Sequence, residues 1–181
     1  MTFKLVFYIA VLVLAIVGYR SYANAASGSL QVGDAAPNFS LPDAQAKTHA
    51  LADYAGQYLV LYFYPKDDTP GCTKQACHFR DDLTQLEKLG AKVVGVSVDN
   101  SQSHADFAQK YHLPFPLLAD SDGKVAAAYN ALTNFYVLKM AKRYTFLINP
   151  AGKIAKIYKN VDTSNHSQQI IDDLKLLQTQ D

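Results

Sequence analysis

The chain has 181 residues, 49% of them hydrophobic and 18% charged, with a formal net charge of +1 at pH 7. Those values describe one globular domain and exclude a low-complexity or disordered chain. With no long basic run, they also speak against a nucleic-acid or anionic-surface partner.

The chain opens "MTFKLVFYIAVLVLAIVGYRSYANAAS". Lys4 precedes an apolar run over residues 5–19, and Ala23-Asn24-Ala25 forms an A-x-A cleavage pattern. This is the layout of a secretory signal peptide over residues 1–25. The alternative is a retained membrane anchor over residues 5–19, although a comfortable span takes about 20 apolar residues. Either way the remainder is exported, which in a bacterium means the periplasm. Cleavage after Ala25 would leave 156 residues (181 less 25), with 15 Lys and Arg against 16 Asp and Glu. Export also places the cysteines where a disulfide persists.

Residues 26–31 are small and polar and read as a linker to a domain over residues 32–181. "VGDAAPNFSLPD" is an extended opening punctuated by Pro37 and Pro42. "YLVLYFYP" is a near-continuous apolar run, which predicts a strand buried on both faces and ended by Pro65. After the loop "PKDDTPGC" a helix is predicted from Gly71 or Cys72 to Leu89. Ala76, Phe79, Leu83 and Leu86 form its apolar face, Asp81, Asp82 and Lys88 face out, and Gly90 is the stop. "AKVVGVSVD" is a second buried strand, and Ser101 or Ser103 caps a short helix over "HADFAQKYH". "FPLLAD" is a third strand, and Asp122-Gly123 leads into a helix around "KVAAAYN". "KRYTFLI", the turn "NPAG" and "KIAKIYK" form a hairpin, and "SQQIIDDLKLLQ" is a closing amphipathic helix. This order predicts an α/β protein with a mixed central sheet and helices on both faces, the pattern of a thioredoxin-like fold.

The chain's two cysteines, Cys72 and Cys77, stand five positions apart. Cys72 falls in the predicted first turn of a helix, where free N–H groups favour an anion, and the thiolate is the nucleophilic form of a thiol. The helix start, the export and the second cysteine favour a reactive thiol over one that merely packs beside a strand end. A permanent Cys72–Cys77 staple would close so short a loop that it would constrain the unfolded chain little. A zinc site of Cys72, Cys77 and His78 has the wrong spacing and lacks a second pair. Asp67 and Asp68 read as solvated loop acids, His78 as an exposed helix residue, and His166 as part of a helix-start turn.

The segment "FYPKDDTPGCTKQAC" resembles the active-site segment of the peroxiredoxins, specifically their bacterioferritin-comigratory or Q-type group. Pro65, three residues, Thr69, two residues and Cys72 match the peroxiredoxin signature. Cys77 resembles the Q-type resolving cysteine. The likeness extends over residues 32–177: "GDAAPNFSLPD" is similar to the family's opening, "KRYTFLINPAGKI" to the segment carrying its active-site arginine, and "TSNHSQQIIDDLK" to its closing helix.

The resemblance implies a thioredoxin-dependent thiol peroxidase with no metal or organic cofactor. Cys72 would attack hydrogen peroxide or an organic hydroperoxide, and Cys77 would form a redox-active disulfide with it. Arg143 and Thr69 would bind the thiolate or peroxide, and Pro65 would shape the pocket wall. A thioredoxin-like protein would be the reductant, and the chain would act as a monomer. One stretch departs from the family. "NALTNFYVLKMAK", residues 130–142, is shorter than its counterpart and lacks Gly and Trp, which bears on peroxide preference and reductant docking. Two other readings of the same residues are an exported thiol–disulfide oxidoreductase, although C-x-x-C is absent, and a metal-binding or inert-disulfide thioredoxin-fold module.

Overall fold

The computed structural model describes residues 28–135 and 138–179. The apolar run over residues 5–19 and the cleavage pattern at 23–25 lie outside them. One compact unit starts at Gln31.

Its centre is a five-stranded sheet in the order β5-β4-β3-β8-β9. Strands β3 (Tyr58–Phe63), β4 (Ala91–Ser97) and β5 (Leu117–Ala119) run parallel, whereas β8 (Thr145–Ile148) and β9 (Ile154–Tyr158) complete it antiparallel. Every residue of β3 is buried, as a middle strand covered on both faces requires. One face of the sheet carries Tyr62 and Tyr64 against the helices α1 (Pro70–Asp81), α2 (Leu83–Lys88), α3 (Ser101–Tyr111) and α5 (His166–Gln178). On the other face Phe63 and Phe146 pack on Tyr129, which ends the short helix α4 (Lys124–Ala128). The predicted mixed sheet with helices on both faces is present, with the helices shared unequally between them.

The structure corrects several details. The helix expected to run unbroken to Leu89 divides at Asp82, whose carboxylate accepts the Ser167 hydroxyl at 2.5 Å. Asp82 is half-buried rather than outward-facing. Gly90 ends the second piece with φ +69, as its conformational freedom allows. The cap of α3 is Asn100, not Ser101 or Ser103: its Oδ1 accepts the Ser103 N–H at 2.9 Å. Two small antiparallel hairpins were not foreseen, β1 (Ser40–Pro42) with β2 (Thr48–Ala50), and β6 (Leu132–Phe135) with β7 (Leu138–Ala141). The second lies in the stretch that departs from the family pattern, and it leads straight into Arg143.

Candidate active site

Helix α1 follows the loop over residues 64–69 that leaves the end of β3, with Thr69 in the N-cap position and Pro70 as the first helical residue. Pro suits that position because its missing N–H would have had no helical partner. Cys72 is the third helical residue, only 1% exposed, so its sulfur lies at the positive end of the helix and out of bulk water.

Arg143 comes from the far side of the sequence. Lys142 donates its N–H to the Ala131 carbonyl, and the Tyr144 carbonyl accepts the N–H of Phe63, the last residue of β3, at 2.7 Å. These bonds hold the segment before β8 beside the strand end from which the cysteine loop departs. Arg143 Nη2 then donates to Cys72 Sγ at 3.2 Å and Nη1 to Gln75 Oε1 at 2.7 Å. Gln75, one helical turn beyond Cys72, is 1% exposed and steadies the guanidinium. Sequence reasoning does not single it out; its spacing of three from Cys72, which sets both on one helix face, is the signal that could have found it.

Thr69 stands at the mouth of the site, half-exposed, and its Oγ1 donates to the Lys66 carbonyl at 3.0 Å rather than to the cysteine. Pro65 is half-buried just past the strand end. Cys77 lies on the same helix as Cys72, half-buried, and both thiols are free. His78 is half-buried and belongs to the last turn of α1.

Beneath the loop lies a network that was not foreseen. Asp68 is exposed as expected, but Asp67 is buried. Its Oδ1 accepts the Tyr64 hydroxyl at 2.7 Å, and its Oδ2 accepts His104 Nδ1–H at 2.8 Å and the Ser103 hydroxyl at 2.7 Å. The Asp67 N–H donates to Asp99 Oδ2 at 2.9 Å. Burial pushes the Asp67 carboxyl up, but the bonds from His104, Ser103 and Tyr64 more than offset this and hold it below its usual range. Burial also raises Tyr62 and Tyr64 well above the ordinary phenol range, so neutral rings line the core beside the cysteine. His166, the first residue of α5, is buried, and its Nε2 meets Thr145 Oγ1 at 2.9 Å. Burial, with some repulsion from Arg143, lowers its pKa to about 4 and leaves it neutral at ordinary pH.

A cysteine at a helix start, with a fixed guanidinium on its sulfur and a thioredoxin-like sheet behind it, defines a thiol-based redox enzyme. Residues 32–157 match the AhpC/TSA family. The chain is 42% identical over 147 residues to a putative peroxiredoxin bcp of Coxiella burnetii, covering 79% of this chain and 97% of that one. Among solved structures, a cysteine-to-serine variant of Xylella fastidiosa PrxQ superposes with a TM-score of 0.78 at 33% identity, covering 84% of this chain and 99% of that one. The bacterioferritin comigratory protein of Xanthomonas campestris, whose alkyl peroxide reduction activity was studied through trapped intermediate and ligand complexes, gives 0.73 at 32% identity, covering 83% and 98%. The chain belongs to the AhpC/TSA family, on its peroxiredoxin Bcp/Q branch, and is a thiol peroxidase.

Proposed function

We propose that Cys72 is the peroxidatic nucleophile and Cys77 the resolving thiol. The observation that carries this reading is the Arg143 N–H held 3.2 Å from the buried Cys72 sulfur at a helix start. The Cys72 thiolate attacks one peroxide oxygen, forming S–O and breaking O–O. The other oxygen leaves as hydroxide or alkoxide and takes a proton, giving water or an alcohol, while Cys72 becomes a sulfenic acid. Arg143, charged and forked, meets the negative charge that develops on sulfur and oxygen. Thr69 turns from the Lys66 carbonyl toward the peroxide, and Pro65 bounds the pocket.

The Cys77 thiolate then attacks Cys72 Sγ, forming S–S and breaking S–O, and the departing hydroxide is protonated to water. A thioredoxin-like dithiol reduces the disulfide. This step needs the helix to open. On intact α-helix, residues five apart have Cα atoms about 8.7 Å apart, whereas a disulfide bridges less than about 7 Å.

Hydrogen peroxide and organic hydroperoxides are the substrates, the latter in keeping with the alkyl peroxide reduction studied for the Xanthomonas campestris relative. Cys72, Gln75 and Arg143 all come from one chain, which suits a monomer. Residues 1–25 direct export to the periplasm, or anchor the domain there through residues 5–19. The native protein should therefore begin at Ala26 by mass spectrometry, and recovery of only a full-length, membrane-bound chain would favour the anchor. The test of function is peroxide consumption with and without thioredoxin: Cys72→Ser should abolish it, and substantial turnover in that variant would remove the assignment.

A further inference from the structure

Arg80, the residue before the last in α1, makes bonds that the peroxidase chemistry above does not use. Its Nη1 donates to the Tyr111 carbonyl at 2.7 Å, and its Nε and Nη2 both reach Asp81 Oδ1 at 2.8 Å. Tyr111 is the last residue of α3, where His112 turns left-handed and sends its own N–H back to Ala108 and Gln109. A helix leaves its final carbonyls unpaired and carries partial negative charge there, so a guanidinium from a neighbouring helix is a strong partner.

The other end of the cysteine segment is tied to the same residue. The Tyr111 hydroxyl donates to Asp68 Oδ1 at 2.6 Å, beside Lys110 on Asp68 Oδ2 at 2.6 Å. One position earlier, Asp67 is held by Tyr64, His104 and Ser103. The stretch that carries both cysteines therefore runs between two posts, Asp67–Asp68 and Arg80, and Tyr111 touches both. Between the posts the polar ties are few: Arg143 on Cys72 and Gln75, and the exposed bond from Lys74 to Ser164.

Resting on the reading that Cys77 joins Cys72, we propose that Arg80 is the positioning residue of the resolving step, the fixed post at which unwinding of α1 stops. The first turns of α1 open, while Arg80 keeps the end of the helix docked on α3. Cys77, three residues before Arg80 and within reach of its guanidinium, stays close to the body of the protein as the oxidised Cys72 comes to it. Fixing both ends of a short opened segment raises the effective concentration of one sulfur near the other. Without the post, opening would run on into α2 and dilute the encounter.

The test uses the intact protein, with Arg80→Met and Arg80→Lys. In oxidised wild type, hydrogen exchange should quicken over residues 70–79 and stay slow over residues 83–88. After one equivalent of peroxide, Arg80→Met should form sulfenic acid within about twofold of the wild-type rate but the disulfide about tenfold more slowly, the factor that one charge-assisted hydrogen bond supplies. Its fast exchange should extend through α2, and excess peroxide should drive more of it to sulfinic acid. Arg80→Lys, which keeps a cation and a donor, should recover most of the lost rate. Fast exchange through residues 83–88 in oxidised wild type would overturn the proposal, as would an unslowed disulfide in Arg80→Met or an equal slowing of both steps. Wild type that forms no Cys72–Cys77 disulfide would instead refute the resolving role of Cys77, and this inference with it.

Discussion

Gly71 and Arg143 face each other across the site: a Cβ on Gly71 would stand 3.2 Å from Arg143 Nη2, the nitrogen that donates to the cysteine sulfur. That contact is tighter than side chains normally accept, so any added carbon displaces the guanidinium by a few tenths of an ångström. Gly71 sits in the helix, where Ala is the better helix former by up to about 1 kcal/mol. Gly71→Ala should therefore separate stability from rate. Its melting temperature should hold or rise, while peroxide consumption should fall by about threefold to tenfold, since misplacement of a catalytic group by 1 Å costs about a hundredfold. A rate equal to wild type would mean that Arg143 yields freely at no cost to the chemistry.

Arg143 itself is the stronger probe. Arg143→Met keeps much of the side-chain length and removes the donors that reach Cys72 and Gln75. Loss of one preorganised charge-stabilising donor costs about 100-fold or more in rate. Peroxide reduction should drop by at least that factor while the thermal midpoint moves little, because Arg143 is only half-buried at the segment before β8. Stopped-flow oxidation of Cys72 and a thermal melt on the same variant check both halves.

What could be read from the chain follows from the range of the forces involved. The buried strand over residues 58–63, a helix start within two residues of Cys72 and the closing helix rest on local signals: apolar runs, three- and four-residue periodicity, and Pro and Gly at the ends. Arg143 carries no such signal. Its sulfur partner is 71 positions away, and only the family resemblance pointed to it. Asp67 shows the same limit from the other side. Two adjacent acids in a loop look solvated, and the burial of one depends on Ser103 and His104, more than thirty residues further on. The missed hairpins have strands of three or four residues, too short for alternation to register. Asp82 breaks the long helix because Ser167 of α5 engages its carboxylate, again a tertiary contact.

The two cysteines give a prediction about motion. Both lie in α1 in the reduced protein, so disulfide formation requires its first turns to open. Cys77→Ser should make one sulfenic acid per chain and then stall in the presence of thioredoxin, seen as a single burst of peroxide consumption. In the wild type, amides over residues 71–79 should exchange faster when oxidised than when reduced. Equal protection in the two redox states would sink the opening step and leave the chemistry at Cys72 standing.

His166 supplies a prediction in pH. Its ring is buried between Phe79, Tyr158 and Thr145, and its pKa falls from 6.5 to about 4, chiefly through burial. In the unfolded chain the same ring takes up a proton as pH drops below about 6.5, whereas in the folded protein it does not until about 4. Between those values the unfolded state holds more protons, so stability must fall as pH falls. A shift of this size corresponds to a loss of about 3 kcal/mol across the window. Asp67 acts lower down: its depressed carboxyl contributes stability above its unfolded value near 3.8, lost as pH drops further. Urea unfolding at pH 7, 6, 5 and 4 should thus show a decline that begins near 6.5. His166→Gln, which can still hydrogen-bond Thr145 but cannot titrate, should start less stable at pH 7 and lose less on the way to pH 4. Parallel pH profiles for the variant and wild type would place the decline elsewhere and show that the buried ring does not drive it.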